Sequence, residues 1–328
     1  MSGPNRHTTQ ALLFASLFLI FAWGTLHASE VPSDSAAFAP YELRTERILD
    51  RDALEAVGIR RPARLAYDSE GNLHVLDSET RHVVKLDPRG RLLYDVGGYG
   101  QDETSLELPV DIAVDRDQSL LVLDRGRGAI VAYDRAGRFL GRRLFQGAAA
   151  EEAREPGARI LLDRFGKLWL LSAHDRDLVA LDDRLAPART TRYLVPEDSL
   201  RSPLAVALSR DGEIWVYDAT RVALLRFDPS GRLRETLRLG SGRPVSITDL
   251  AIDRAGYVYA ADRTQQDVKG VGPGLDHVVT LRLMGGDTIP WRPGALAVGP
   301  ARQIALADPD RSEIQILTPQ PRVVRSAP

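Results

Sequence analysis

Residues 62–90 read PARLAYDSEGNLHVLDSETRHVVKLDPRG, and residues 109–137, PVDIAVDRDQSLLVLDRGRGAIVAYDRAG, repeat them in step without a gap. Residues 203–231, PLAVALSRDGEIWVYDATRVALLRFDPSG, keep the same register, and weaker copies stand at 158–182, 248–263 and 293–317. The position after the first apolar run is Asp68, Asp115, Asp163, Ser209, Asp253 and Gly299, at successive spacings of 47, 48, 46, 44 and 46. A second acid recurs as Asp77, Asp124, Asp218, Asp262 and Asp308, with Ser172 in the third copy. A period this steady over most of the chain marks a repeat architecture.

Each copy holds four short runs rich in Val, Ile, Leu and Tyr, bounded by Gly, Asp and Pro, which are strand signals. Both faces of such a sheet are largely apolar, so neighbours must cover it on both sides. A closed ring meets that need without caps, and the expected fold is all-β, a six-bladed β-propeller of four-stranded antiparallel blades spanning 41–319. Tyr41 to Leu49, YELRTERIL, alternates apolar and polar residues. It is expected to complete the outer edge of the sixth blade and join the ends of the ring, with Arg322 to Arg325 in the tail, 320–328, as its rival. Helical turns are expected only at 50–57 and 148–154.

The chain has 328 residues with a formal net charge of −2, 44% hydrophobic and 27% charged residues, and no cysteine. The apolar content excludes a disordered chain, and the balanced charge, without a basic block, argues against a nucleic-acid partner. The missing cysteines exclude disulfides, thiolate metal sites and cysteine nucleophiles. A polar start, the uncharged run ALLFASLFLIFAW at 11–23 and small residues up to Ala28 read as a signal peptide over 1–28, with a linker over 29–40. The alternative is an uncleaved anchor. Either places the domain outside the cytoplasm, periplasmic or secreted, with no later membrane span.

The pattern Pro-x-x-x-Ala-x-Asp, Gly-Asn-Leu-x-Val-x-Asp, Arg-His-Val-Val-x-x-Asp-x-x-Gly resembles the NHL repeat. The linker VGGYGQDETSLELP at 96–109 also resembles the segment between NHL repeats. The resemblance covers 62–317 and implies a six-bladed propeller. Asp77 to Pro88 is similar to a stretch of the peptide-amidating lyase, which holds zinc through histidines placed directly after the opening prolines. Those positions here are Ala63, Val110, Ala158, Leu204, Thr248 and Gly294, none of which binds zinc. Lactonase-type propellers are similar in architecture, but their Pro-Glu-Gly opening is missing. No cofactor or metal is expected.

Four histidines follow the signal: His74, His82, His174 and His277. Three lie in or near loops between second and third strands of alternate copies, where a metal site competes with exposed or locally bonded rings. Acids ending the second strands precede arginines, as in Asp77 with Arg81 and Asp124 with Arg127. They read as turn acceptors completed by a guanidinium. Charges that do not recur are more selective. Two residues after the opening proline, or at the matching position, stand Arg64, Asp111, Arg159 and Asp249, near the central entrance of the loop-rich face. They form either a polar binding site or mutual ion pairs. Copy five carries an extra segment, Thr264 to Asp276, read as a long loop between its second and third strands. The candidate binding residues are Arg64, Asp111, Arg159, Asp249, Arg81, His174 and Lys269. The expected function is a monomeric binding scaffold for a protein, peptide or glycan on the loop-rich face, the alternative being a metal-dependent hydrolase or lyase.

Overall fold

The structure, a computed structural model, describes residues 41–172, 176–193, 200–239, 243–273, 278–281, 283–284 and 291–321. The segments read as signal and linker, the chain from Arg322 onward, His174 and His277 lie outside those residues. β1 (Tyr41–Leu49) and α1 (Arg51–Glu55) come first. Blade one is β2 (Pro62–Tyr67), β3 (Leu73–Asp77), β4 (His82–Leu86) and β5 (Leu92–Gly97). Blade two is β6 (Pro109–Val114), β7 (Leu120–Asp124), β8 (Ala129–Tyr133) and β9 (Phe139–Leu144).

After the helical turn α2 (Ala149–Glu152), blade three comprises β10 (Arg159–Leu162), β11 (Leu168–Ser172), β12 (Asp177–Leu181) and β13 (Pro187–Tyr193). Blade four comprises β14 (Pro203–Leu208), β15 (Ile214–Asp218), β16 (Ala223–Phe227) and β17 (Leu233–Arg238). Blade five comprises β18 (Ile247–Ile252), β19 (Val258–Asp262), β20 (Asp267–Val271) and β21 (Val279–Leu281). The two-residue β22 (Leu283–Met284) precedes the sixth blade, β23 (Ala295–Val298), β24 (Ile304–Asp308) and β25 (Glu313–Pro321).

The sheets are meanders, and the first strands touch in a closed circuit in which β23 meets β2. This is a six-bladed β-propeller. β1 pairs antiparallel with β25 from Leu49↔Ile314 to Tyr41↔Pro321, so the sixth blade takes its fourth strand from the opposite end of the domain. It is not the outermost strand: β22 pairs with it in parallel through Leu43↔Leu283. Leu43 is fully buried there.

All six second strands are buried along their whole length, because alternate residues point at opposite neighbours. Val75 packs with Ala295, Ala305 and Ile314 of blade six, while Leu76 packs with Ile112, Leu120 and Val122 of blade two. Each such side chain contributes roughly 1.5–3 kcal/mol through burial. Fourth strands such as β5 and β9 are exposed or half-buried apart from Val96, as outer edges are.

In copy five the residues read as a loop contain a strand. Asp262 is followed by a short turn, and β20 starts at Asp267. The long connection lies after the third strand, so the expected insertion between second and third strands does not exist. The segment DVKGV hides its strand character because a lysine occupies a buried position, where its partners are local.

The turn between third and fourth strands needs a left-handed residue, supplied by Gly90, Gly137 and Gly231, and by Leu185 in blade three. At Gly137 (φ +81°) an added Cβ meets Tyr94 Cγ of blade one at 2.9 Å. Gly137→Ala is expected to cost about 1–2 kcal/mol. Gly166→Ala, at φ +82° but in open space, isolates the backbone part, about 1 kcal/mol. Denaturant midpoints of the two variants check this.

Candidate functional site: the two ends of the central channel

Proline at the start of a first strand pairs with the acid ending the second, as in Pro62↔Asp77. Connections between blades and loops between second and third strands therefore share one face. The turns between first and second strands form the other.

Near the loop-rich face, the four non-recurring charges meet. Arg159 Nη2 donates to Asp249 Oδ1 at 2.8 Å, its Nη1 stands 3.5 Å from Asp111 Oδ1, and Arg64 Nε is 3.6 Å from the same oxygen. The acids also stitch blades together: Asp111 Oδ2 accepts from the Ile160 N–H at 2.8 Å, and Asp249 Oδ2 from the Leu296 N–H at 3.0 Å. Arg159, Asp111 and Asp249 are only 5%, 7% and 7% exposed. Burial pushes the Asp111 carboxyl up to about 7 and Asp249 up to about 6, against the pull of the Arg64 guanidinium. Of the two readings left open by the sequence, ion pairing is what the geometry contains. The cluster bridges the channel from blade one to blade five.

The strand-end acids are turn acceptors. Asp77 Oδ2 accepts from the Arg60 and Arg61 N–H groups, and its Oδ1 accepts from Glu79 at 2.7 Å and Thr80 at 2.8 Å. Asp218 and Asp308 repeat the arrangement, holding the incoming connection with one oxygen and the following turn with the other. Two of the expected arginine partners, Arg81 and Arg311, turn elsewhere. Arg127 comes only to 4.0 Å from Asp124, whereas Arg81 lies over the Tyr99 ring at 4.0 Å and Arg311 pairs with Glu313 at 3.5 Å. Backbone N–H groups saturate the carboxylate, leaving little for a guanidinium to do.

Lys269, in β20, is buried. Its Nζ donates to Asp267 Oδ2 at 2.7 Å, Gln265 Oε1 at 3.1 Å and Thr280 Oγ1 at 3.3 Å. Arg81 stands apart from the channel cluster, and His174 lies outside the described residues. The seven candidates thus divide into a channel quartet, three of whose members are buried while Arg64 stays partly exposed, two cations bonded elsewhere, and His174 outside the described residues. His82 bonds Asp95 at 3.1 Å, and His74, fully buried in β3, is kept below its ordinary pKa by burial. Among the described residues no three His, Asp or Glu side chains stand together as metal ligands.

The opposite mouth is open. A cavity of about 740 Å³ is encircled by the ends of all six first strands and the residues that follow, among them Ser69, Arg116, Arg164, Arg210, Arg254 and Pro300. The turns beneath close in the same way with different acceptors. Asp68 Oδ1 accepts from the Glu70 N–H, Ser209 Oγ from Glu213, and Gln303 Oε1 from Ala301, the last filling the space that the missing side chain of Gly299 leaves. The four arginines were missed in the sequence. Their signal is positional: each immediately follows the recurrent turn residue, in copies two to five.

No family model matches the chain, and no curated protein matches it in sequence. Among solved structures it is similar to a streptogramin B lyase, with TM-score 0.64 and 11% identity over 87% of this chain and 99% of that one. It is also similar to a catalytically inactive virginiamycin B lyase from Staphylococcus aureus with quinupristin, with TM-score 0.56 and 11% identity over 88% and 90%. A gluconolactonase from Xanthomonas campestris gives TM-score 0.52 and 16% identity over 80% and 88%. At these identities the likeness is one of fold, a distant propeller relationship that does not fix function.

Proposed function

We propose that this chain is an exported propeller of NHL-like repeats that works as a binding module, holding a glycan, peptide or protein segment in the cavity at the narrow-turn mouth. The observation that carries this reading is the cavity of about 740 Å³ to which every blade contributes. That volume falls in the range of roughly 300–1,000 Å³ usual for small-ligand sites. The loop-rich face, where the site was expected, has its channel bridged by the Arg64–Asp111–Arg159–Asp249 cluster, which favours the other end. Export rests on the N-terminal apolar run alone.

The rival reading is a metal-dependent lyase or hydrolase, which the architecture shared with lyase and lactonase structures supports about as well. One experiment separates them. Full-length chain is screened against glycan and peptide arrays, and in parallel assayed with lactones and a streptogramin B with and without a chelator. Binding without turnover, lost in Val298→Trp, which fills the cavity wall, is the expected result. Chelator-sensitive turnover would overturn the binding reading in favour of the enzyme.

A further inference from the structure

We infer that the narrow-turn mouth is a site for an anionic saccharide, gripped by Arg116, Arg164, Arg210 and Arg254. The inference rests on the binding reading above and names its ligand class. All four side chains are exposed on the cavity, and none makes an ion pair or hydrogen bond with a described residue. Elsewhere the arginines of this protein are widely engaged: Arg159, Arg226, Arg263 and Arg302 all hold carboxylates.

The charge at the mouth is positive because the recurrent acids are silenced or missing. Asp68 is neutralised by Lys85 at 3.0 Å and Asp253 by Arg302 at 2.9 Å, while copies four and six carry Ser209 and Gly299 instead of an acid. Asp115 and Asp163 remain, each with one oxygen committed to the turn backbone. Four guanidiniums therefore face two carboxylates around the concave mouth, with Asp211 further out along both side grooves, and this excess concentrates a positive potential there. The planar fork of arginine suits the paired oxygens of carboxylate or phosphate.

Two grooves give the ligand its organic part. One of about 230 Å³ runs between blades three and four past Arg164, Arg210, Phe165 and Trp169. Another, of about 280 Å³, runs between blades four and five past Arg210, Arg254 and Trp215. Phe165 is 76% exposed with the Arg164 guanidinium 4.6 Å from its ring centre. An exposed aromatic face beside a cation suits the apolar face of a sugar ring that carries a negative group. A bare inorganic anion would leave these grooves unused.

The test uses full-length chain and calorimetric titration with trigalacturonate, maltotriose, glucose 6-phosphate and triglutamate. Trigalacturonate or glucose 6-phosphate is expected to bind, the stronger of them showing whether the anion is carboxylate or phosphate. Maltotriose should be at least about tenfold weaker, and affinity should fall with salt. The double variant Arg164→Gln/Arg210→Gln should lose at least about tenfold for each guanidinium removed. Phe165→Ser should weaken the sugars and leave triglutamate unchanged. Absence of binding by both charged sugars, indifference to the double variant, or triglutamate binding as tightly as the sugars would overturn the inference. A neutral or peptide ligand that is lost in Val298→Trp would overturn it while leaving the binding module intact; chelator-sensitive turnover would remove both.

Discussion

Replacing Arg159 by methionine is expected to destabilise the protein by about 3–5 kcal/mol at pH 8 and by clearly less at pH 5. The guanidinium stands between two buried carboxylates, 2.8 Å from Asp249 and 3.5 Å from Asp111. Removing one partner of a buried ionic cluster strands the others in low dielectric, which is the costly way to break it. The pH dependence follows from the raised carboxyls. Their folded values, about 7 for Asp111 and about 6 for Asp249, lie above those of the unfolded chain. The folded state therefore holds more protons than the unfolded one between roughly pH 4 and 7, and stability falls as pH rises through that window. Without Arg159 the acids protonate still more readily, so at pH 5 they are neutral and tolerate its loss. Guanidinium chloride midpoints at the two pH values measure this. An equal deficit at both would show that the two acids do not titrate there.

Asp77→Ala is expected to cost about 2–4 kcal/mol. Its carboxylate is fully buried and accepts four backbone N–H groups, two from the chain entering blade one and two from the following turn. Alanine leaves those donors without an acceptor, and a buried unsatisfied donor loses its full hydration. Asp77→Asn should recover only part of the loss, because its amide turns a donor toward donors. Thermal unfolding of both variants checks the order, and equal stability of the asparagine variant and the parent would contradict it. The same carboxylate recurs at Asp124, Asp218, Asp262 and Asp308, all at most 1% exposed. This is why an acid at that register identifies the fold and says little about a ligand.

The channel charges and the mouth arginines differed in how far they were legible. Arg64, Asp111, Arg159 and Asp249 were found because they break the repeat, and their register placed them on one ring. Whether they faced solvent or one another depended on how narrow the channel is at that level, which no single copy encodes. Arg116, Arg164, Arg210 and Arg254 recur with the turn, so nothing within one copy sets them apart from other turn surface. β20 was misplaced because Lys269 breaks the apolar run, and its compensating Asp267, Gln265 and Thr280 come together only once strands pair.

Period and apolar runs alone determined that six alike sheets must cover each other and that a ring is the closed solution, because two-sided burial is a property of each copy's own side chains. The opening of the narrow-turn mouth, the ionic bridge toward the loop-rich end and the parallel contact of β22 with β1 were decided by tertiary structure. They depend on distances between different blades, and the spacing of residues along one strand carries no information about the width of the space that six strands enclose.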